Sequence, residues 1–431
     1  MSRPSMPQGP FAYRGGTMVA EGVPLAAIAE AVGTPAYVYS AGRIRQNYRA
    51  YADALAGLPV DICYAMKANA NQAVLRLLAE EGAGADVVSG GELHRALRAG
   101  IPASRIVFSG VGKTVQELCD ALAAGIHQIN VESLPELESI SQVASAMGVE
   151  APVALRVNPD VDAETHGKIS TGRKEDKFGI DFGHAREAYA KAASLPGVRP
   201  LGIAVHIGSQ LLKLAPYRAA YARLAELITE IRADGLAVER LDLGGGLGVP
   251  YKGEAAPDRQ TYAGIVRETV AHLGCAMTIE PGRSLVADAG VLLARVVFVK
   301  EGLHRRFLIV DAAMNDLIRP SLYEAWHTIL PVEEPPADTP LSPMDVVGPV
   351  CETGDTFARQ RELPPVPAGG LVAFMTAGAY GSVMASTYNS RPLVPEVLVD
   401  GDRWAVVRRR PGLEEMLALE SVPAWMRADA G

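Results

Sequence analysis

The chain has 431 residues, 48% of them hydrophobic, and a net charge of −8. That length suits two domains, and that apolar fraction suits a large core. The negative balance argues against nucleic acid or an anionic membrane as a partner.

The opening stretch, "MSRPSMPQGPFAYRGG", holds no apolar run of signal-peptide length, and no segment is long and apolar enough to span a bilayer. Its first residues are expected to be loose. Next, "GTPAYVYS", ending at Ser40, reads as a strand. From about residue 60 the pattern alternates short apolar runs with helical periodicity. "DICYAMK" is followed by "NQAVLRLLAEEG", "ADVVS" by "GGELHRALRAG", "RIVFSG" by "TVQELCDALAAG", and "HQINVE" by "LPELESISQVASAMG". "APVALRVNP", a polar insertion and "HAREAYAKAASLPG" come next, then "PLGIAVHIGS", "YRAAYARLAELITEIRADG", "ERLDLGGG", "TYAGIVRETVAHLG" and "AMTIEPGR". The spacing places eight strands near residues 61, 86, 105, 128, 152, 202, 240 and 277. Eight βα units without a break favour a closed (β/α)8 TIM-type barrel over residues 41–287 rather than an open doubly wound sheet.

Beyond about residue 288 the runs "GVLLARVVFVKEG", "RRFLIVDAAM", "MDVVGPVCETG", "GGLVAFMTAG" and "EVLVDGDRWAVVRRR" are strands joined by Gly, Pro and Asp turns. They predict a mainly β domain, sandwich- or barrel-like, over 288–431, joined by the N-terminal segment 1–40. "PVEEPPADTP" reads as an exposed loop, and "RRR" at 408–410 as a solvated strand end. Cys63, Cys119, Cys275 and Cys351 lie far apart, none at zinc or redox spacing. They suggest a reduced, cytoplasmic protein without a metal site.

Functional groups in parallel barrels gather at the C-terminal ends of the strands. There the sequence sets Lys67 after strand 1, Asp86 at the start and Ser89 at the end of strand 2, "HIGS" (206–209) after strand 6, "GGG" (244–246) after strand 7 and "EPGR" (280–283) after strand 8. A single lysine at a strand end is more often a surface residue. A lysine, a histidine, a glycine turn and a Glu/Arg pair on one rim are much harder to explain as packing. The glycines suit close approach of backbone N–H groups to a phosphate, although "GGGLG" alone is equally a tight turn. With a lysine able to attack an aldehyde and a carboxylate able to pair with a ring nitrogen, they point to pyridoxal 5′-phosphate (PLP).

The chain resembles the diaminopimelate decarboxylases, a group of barrel-type PLP enzymes related to alanine racemase and the ornithine and arginine decarboxylases. The likeness runs nearly end to end. It rests on "YAMKAN", "DVVSGGEL", "RVNPDVDAETHGKISTG", "KFGI", "HIGSQ", "DLGGGLG", "EPGRS", "MNDLIRPSLY", "GPVCETGD" and "GAYGSVMASTYNSR". The resemblance implies decarboxylation of meso-2,6-diaminopimelate to L-lysine and CO2, the last step of bacterial lysine biosynthesis, by a homodimer with shared active sites.

It also assigns roles. Lys67 forms the Schiff base with the cofactor, its neutral amine favoured by an apolar rim. His206 stacks on the ring, and Asp86 belongs to the cofactor site. Ser209, Gly246 and Gly282 hold the phosphate with a hydroxyl from Tyr380, while Gly244 and Gly245 only shape the turn. Glu280 keeps the pyridine nitrogen protonated, which favours loss of CO2 over racemisation. Arg283, Arg319 and Tyr323 grip the distal carboxylate, a planar group that a guanidinium fork matches, with Tyr380 also on the substrate side. Glu352 meets the distal ammonium group. Cys351 protonates the carbon that CO2 leaves, and it and Glu352 reach the site of the other subunit. The pair Gly167 and Lys168 departs from the Pro-Tyr often found there in the family.

A decarboxylase acting on ornithine, arginine or carboxynorspermidine is the nearest alternative. "MNDLIRPSLYEAWH" speaks against the first two, which have no second carboxylate for Arg319 and Tyr323. A racemase is disfavoured by Glu280. A Schiff-base aldolase would leave Glu280 and Cys351 without a role. A PLP-holding homeostasis protein would be a single small barrel.

Overall fold

The computed structural model describes residues 9–161 and 177–426. The chain divides into two compact units. One contains Ala41–Ala289 together with Gly378–Val383; the other contains the chain up to Ser40, Gly290–Ala377 and the chain from Met384.

The first unit is the expected barrel. Its eight strands are Val60–Ala65, Gly84–Val87, Ile106–Phe108, Gln128–Val131, Ala151–Asn158, Val198–Ala204, Arg240–Asp242 and Ala276–Ile279, each parallel to its neighbours. Closure comes from the pairing of Met277–Ile279 with Val60–Ile62. One further two-residue strand, Ile180–Asp181, lies alongside Val157–Asn158. The strand interiors are almost wholly buried, as expected where a parallel sheet is covered on both faces.

The helices start and stop on local signals. Thr114 caps Val115–Ala124 and closes a reciprocal capping box with Glu117. Ser89, Ser133 and Asp258 cap the helices that follow them. Gly125 and Gly148, both left-handed, end their helices as C-caps.

The second unit is mainly β, and the N-terminal segment is part of it. Ala36–Ser40 pairs antiparallel with Gly290–Leu293 and parallel with Glu396–Val399. The twelve-residue strand Gly290–Glu301 also pairs with Leu371–Phe374 and Arg306–Val310. Leu25, Ile28, Val38, Val291, Leu293 and Val397 meet in one core, so residues before 40 and after 290 are buried against each other. Several strands had no counterpart in the sequence pattern. Thr356–Leu363 pairs with Ser342–Val347, and Phe11–Arg14 forms a hairpin with Thr17–Ala20.

The arginine run differs from a solvated strand end. Arg408 lies 2.9 Å from the buried Glu396 and donates to the Val394 carbonyl. Arg410 donates to the Pro35 and Thr34 carbonyls, and its burial lowers its pKa. Only Arg409 stays on the surface, paired with Glu415.

Candidate active site

At the C-terminal end of the barrel, Lys67 sits in the turn Met66–Ala68 directly after the first strand. The parallel register pairs Ala65 with Asp86, which brings the aspartate level with the lysine. Asp86 is therefore inside its strand, not at its start. Lys67 Nζ lies 3.1 Å from Asp86 Oδ2. Asp86 is fully buried, and its other oxygen has no partner among the described residues. Burial works to lower the pKa of Lys67, but the charges of Asp86, Tyr380 and Glu280 outweigh it, and the net shift is upward. The expectation of an apolar rim favouring the neutral amine is thus overturned. The rim is acidic and holds Lys67 as an ammonium.

Glu280 follows the eighth strand, adjacent to the first, so it shares the rim with Lys67. It is 7% exposed, and its backbone N–H donates to the Gly244 carbonyl at 2.7 Å. Beneath it lies a polar network. Asn130 Nδ2 reaches Glu280 Oε1 at 3.4 Å, Asp242 Oδ2 at 3.0 Å and Ser109 Oγ at 3.1 Å. Gln128 Nε2 donates to Asp242 Oδ2 at 3.3 Å and Asn130 Oδ1 at 2.8 Å, and Gly244 N–H to Asp242 Oδ1 at 3.0 Å. Burial raises the pKa of Glu280 well above the carboxylate range, and the charges of Asp242 and Asp86 add to it. Asp242 is raised as well, mainly by burial. Asp242, Asn130, Gln128 and Ser109 were not singled out from the sequence. Their signal was faint: polar residues inside short runs otherwise read as buried strands.

His206 ends the run after the sixth strand, and its Nδ1 accepts the N–H of Gly245 at 3.1 Å. That bond requires a lone pair on Nδ1. Burial lowers the His206 pKa well below its usual value, with Arg156 and Lys67 adding to the effect, so the ring is neutral. Gly245 therefore orients a site residue as well as shaping the turn. A Cβ on Gly245 would lie 2.0 Å from the Glu280 carbonyl oxygen, and one on Gly246 would lie 2.0 Å from that of Gly208. Only glycine permits these approaches.

Arg283 is buried. Its NH2 lies 3.1 Å from Ser209 Oγ and its NH1 2.8 Å from the Tyr251 hydroxyl, with its guanidinium 4.7 Å from the Tyr380 ring centre. Tyr380 has φ +54° and donates its backbone N–H to the Ala68 carbonyl, next to the lysine. Gly282 packs closely on Ala65 and Ala68. The barrel unit thus brings together Lys67, Asp86, His206, Ser209, Gly246, Glu280, Gly282, Arg283 and Tyr380. An amine, a carboxyl group for a ring nitrogen, and a glycine turn beside Ser209 and Arg283 fit PLP.

The remaining candidates belong to the mainly β unit. Arg319 and Tyr323 bound the short helix Arg319–Tyr323, and Arg319 is 6% exposed. Cys351 and Glu352 lie on an exposed loop between Ser342–Val347 and Thr356–Leu363. Asp355 braces that loop by accepting the N–H groups of Val350 and Met314 at 2.7 Å each. The Cys351 N–H donates to Asn389 Oδ1 at 3.1 Å, and Glu352 bonds the Tyr388 hydroxyl, raising its pKa. Gly167 and Lys168 lie outside the described residues.

Comparison with known proteins fixes the class. Residues 41–287 match the family model for the pyridoxal binding domain of pyridoxal-dependent decarboxylases, and the chain belongs to that family. Its cofactor is PLP. Within the family it belongs with the diaminopimelate decarboxylases. It is 49% identical to the enzyme of Zymomonas mobilis, covering 97% of this chain and 100% of that one. With the enzyme of Pseudomonas aeruginosa the identity is 51%, over 96% and 99%. Among solved structures, diaminopimelate decarboxylase from M. jannaschii in complex with L-lysine matches with a TM-score of 0.92 and 37% identity, over 97% and 99% of the two chains. The Helicobacter pylori enzyme with L-lysine matches at 0.88 and 42%, over 92% and 98%.

Proposed function

We infer that the protein removes one carboxyl group from meso-2,6-diaminopimelate and releases L-lysine and CO2. The carrying observation is the acidic barrel end, where Lys67 stands between Glu280 and Asp86 in strand order. PLP, when bound, supplies an aldehyde for the substrate amine and a cationic ring that accepts the electron pair freed as CO2 departs.

Lys67 would take the aldehyde, and Asp86 keeps its amine in place. Releasing the Lys67 proton must accompany that bond, and the acids of the rim are the groups placed to take it. Glu280 holds a proton at the ring nitrogen, with its basicity raised by burial and by Asp242. The neutral His206, oriented by Gly245, would stack on the cofactor ring. Ser209, Gly246, Gly282 and Tyr380 would hold the phosphate, with Arg283 fixing Ser209.

Arg319 and Tyr323 are proposed to take the distal carboxylate, and Glu352 the distal ammonium group. Cys351 is proposed to deliver the proton that replaces the lost carboxyl group. Cys351 and Glu352 are exposed in a single chain, which suits a homodimer in which each copy completes the other's site. No helix among the described residues is long and apolar enough to cross a membrane. The four cysteines are unpaired, which supports a cytoplasmic location.

The test is CO2 release from meso-, LL- and DD-diaminopimelate, ornithine and arginine, measured side by side. Turnover of the meso form alone is expected. Comparable turnover of ornithine would refute the roles of Arg319 and Tyr323.

A further inference from the structure

Arg319 is contacted by a histidine whose protonation pattern its surroundings dictate. Its NH1 lies 2.8 Å from His327 Nε2, and His327 Nδ1 lies 2.9 Å from the Met375 carbonyl oxygen. Both side chains are buried, His327 at 2% exposure. A guanidinium can only donate, and a carbonyl oxygen can only accept. The imidazole must therefore carry its proton on Nδ1 and offer a lone pair at Nε2. A second arginine reinforces the arrangement. Arg361 donates to the His327 carbonyl at 2.8 Å while its guanidinium carbon lies over the ring of neighbouring Trp326, 3.3 Å from its centre. A buried guanidinium is commonly answered by a carboxylate. At this contact a neutral ring nitrogen takes that place, which fixes the fork in space without cancelling its charge.

We propose that His327 is a positioning residue for substrate selection: its Nε2 lone pair fixes the guanidinium of Arg319 so that the fork meets the distal carboxylate of the substrate. This deepens the proposed reading and rests on it, because it takes Arg319 as the carboxylate-binding group. His327 itself touches neither the cofactor nor the reacting carbon in this assignment.

Three replacements separate positioning from packing. His327→Gln keeps an oxygen acceptor near the place of Nε2. His327→Asn keeps a donor near the place of Nδ1 but loses the acceptor. His327→Leu loses both. Steady-state kinetics with meso-diaminopimelate, on PLP-loaded protein whose cofactor absorbance is unchanged, should show KM raised about tenfold or more in the Asn and Leu forms, the loss expected when a hydrogen bond to a charged group is removed. The Gln form should stay within about threefold of wild type, and kcat should change little in all three, as for an interaction shared by ground and transition states. Inhibition by L-lysine, which keeps the distal carboxylate, should weaken in parallel. Inhibition by cadaverine, which lacks it, should not move. If His327→Leu does not fold, the Gln and Asn forms decide the matter alone. Equal KM values for Gln and Asn, or a loss of cadaverine inhibition matching that of L-lysine, would overturn the proposal. Arg319→Met serves as the control on the underlying reading. If it leaves KM unchanged, the assignment of Arg319 fails; if it raises KM while the His327 forms do not, only the role of His327 fails.

Discussion

In the mainly β unit three buried acids have partners of their own, although burial raises Asp355 and its neighbour Asp316. Glu396 is met by Arg408 and by the Tyr39 hydroxyl, Asp345 by Arg305 and the Gln360 N–H, and Asp355 by two backbone N–H groups. For Asp345 these bonds outweigh burial and pull the pKa down. At the barrel end, burial raises both Glu280 and Asp242, the charges of Asp242 and Asp86 push Glu280 further up, and the partners are Lys67 and neutral amides. The contrast separates acids that serve the fold from acids held for a ligand. A crowded set of buried carboxyl groups costs stability when the site is unloaded and becomes favourable once a protonated ring arrives.

The largest way to break that contrast is to remove the lysine. Lys67→Ala should lower turnover by at least about a thousandfold and abolish the absorbance near about 420 nm of the PLP-loaded protein. Glu280→Gln should keep the colour but reduce kcat by roughly a hundredfold to a thousandfold, since a neutral amide cannot hold a proton on the ring nitrogen. In the β unit, Arg408→Ala should destabilise the protein by about 3 kcal/mol in denaturant titration, because Glu396 would stay buried without its partner.

The smallest effect has the opposite sign. Asp242→Asn should stabilise the PLP-free protein at neutral pH by about 1–2 kcal/mol. Glu280 and Asp242 have raised pKa values in the folded state, so the folded chain binds more protons than the unfolded one once pH exceeds the ordinary carboxyl value. Wild-type stability then falls as pH rises through that window. Lys67, also raised, adds stability that is lost only in alkali. Removing one acid should flatten the fall in Tm between about pH 5 and 8. A variant less stable than wild type at pH 8 would mean that Asp242 serves the fold.

Much of this was legible in the chain. The βα alternation marked all eight barrel strands, and several of the helices between them carry cap or stop signals of their own. "AYVYS" was readable as a strand of the second unit because its alternation is apolar and bounded by Pro35 and the helix that begins at Ala41. "TFARQREL" was not, since charged residues occupy its exposed face and mask a strand that is apolar only at Phe357, Ala358 and Leu363. Lys67, Glu280 and the glycines stood out because their types are unusual at strand ends. Asp242 and Asn130 did not, because both faces of a barrel strand are buried and alternation cannot tell which side chain points inward. The acidic character of the rim was missed for the same reason. His327 depends on a tertiary contact with Arg319 that the spacing of "RPSLYEAWH" alone does not specify.

Borohydride reduction of the PLP-loaded protein, followed by peptide mass mapping, tests the central claim most directly. The reduced cofactor should be found on Lys67 and on no other lysine, and Asp86→Ala should lower its yield without moving it. An adduct on another lysine, or none at all from a protein that still releases CO2, would contradict the account.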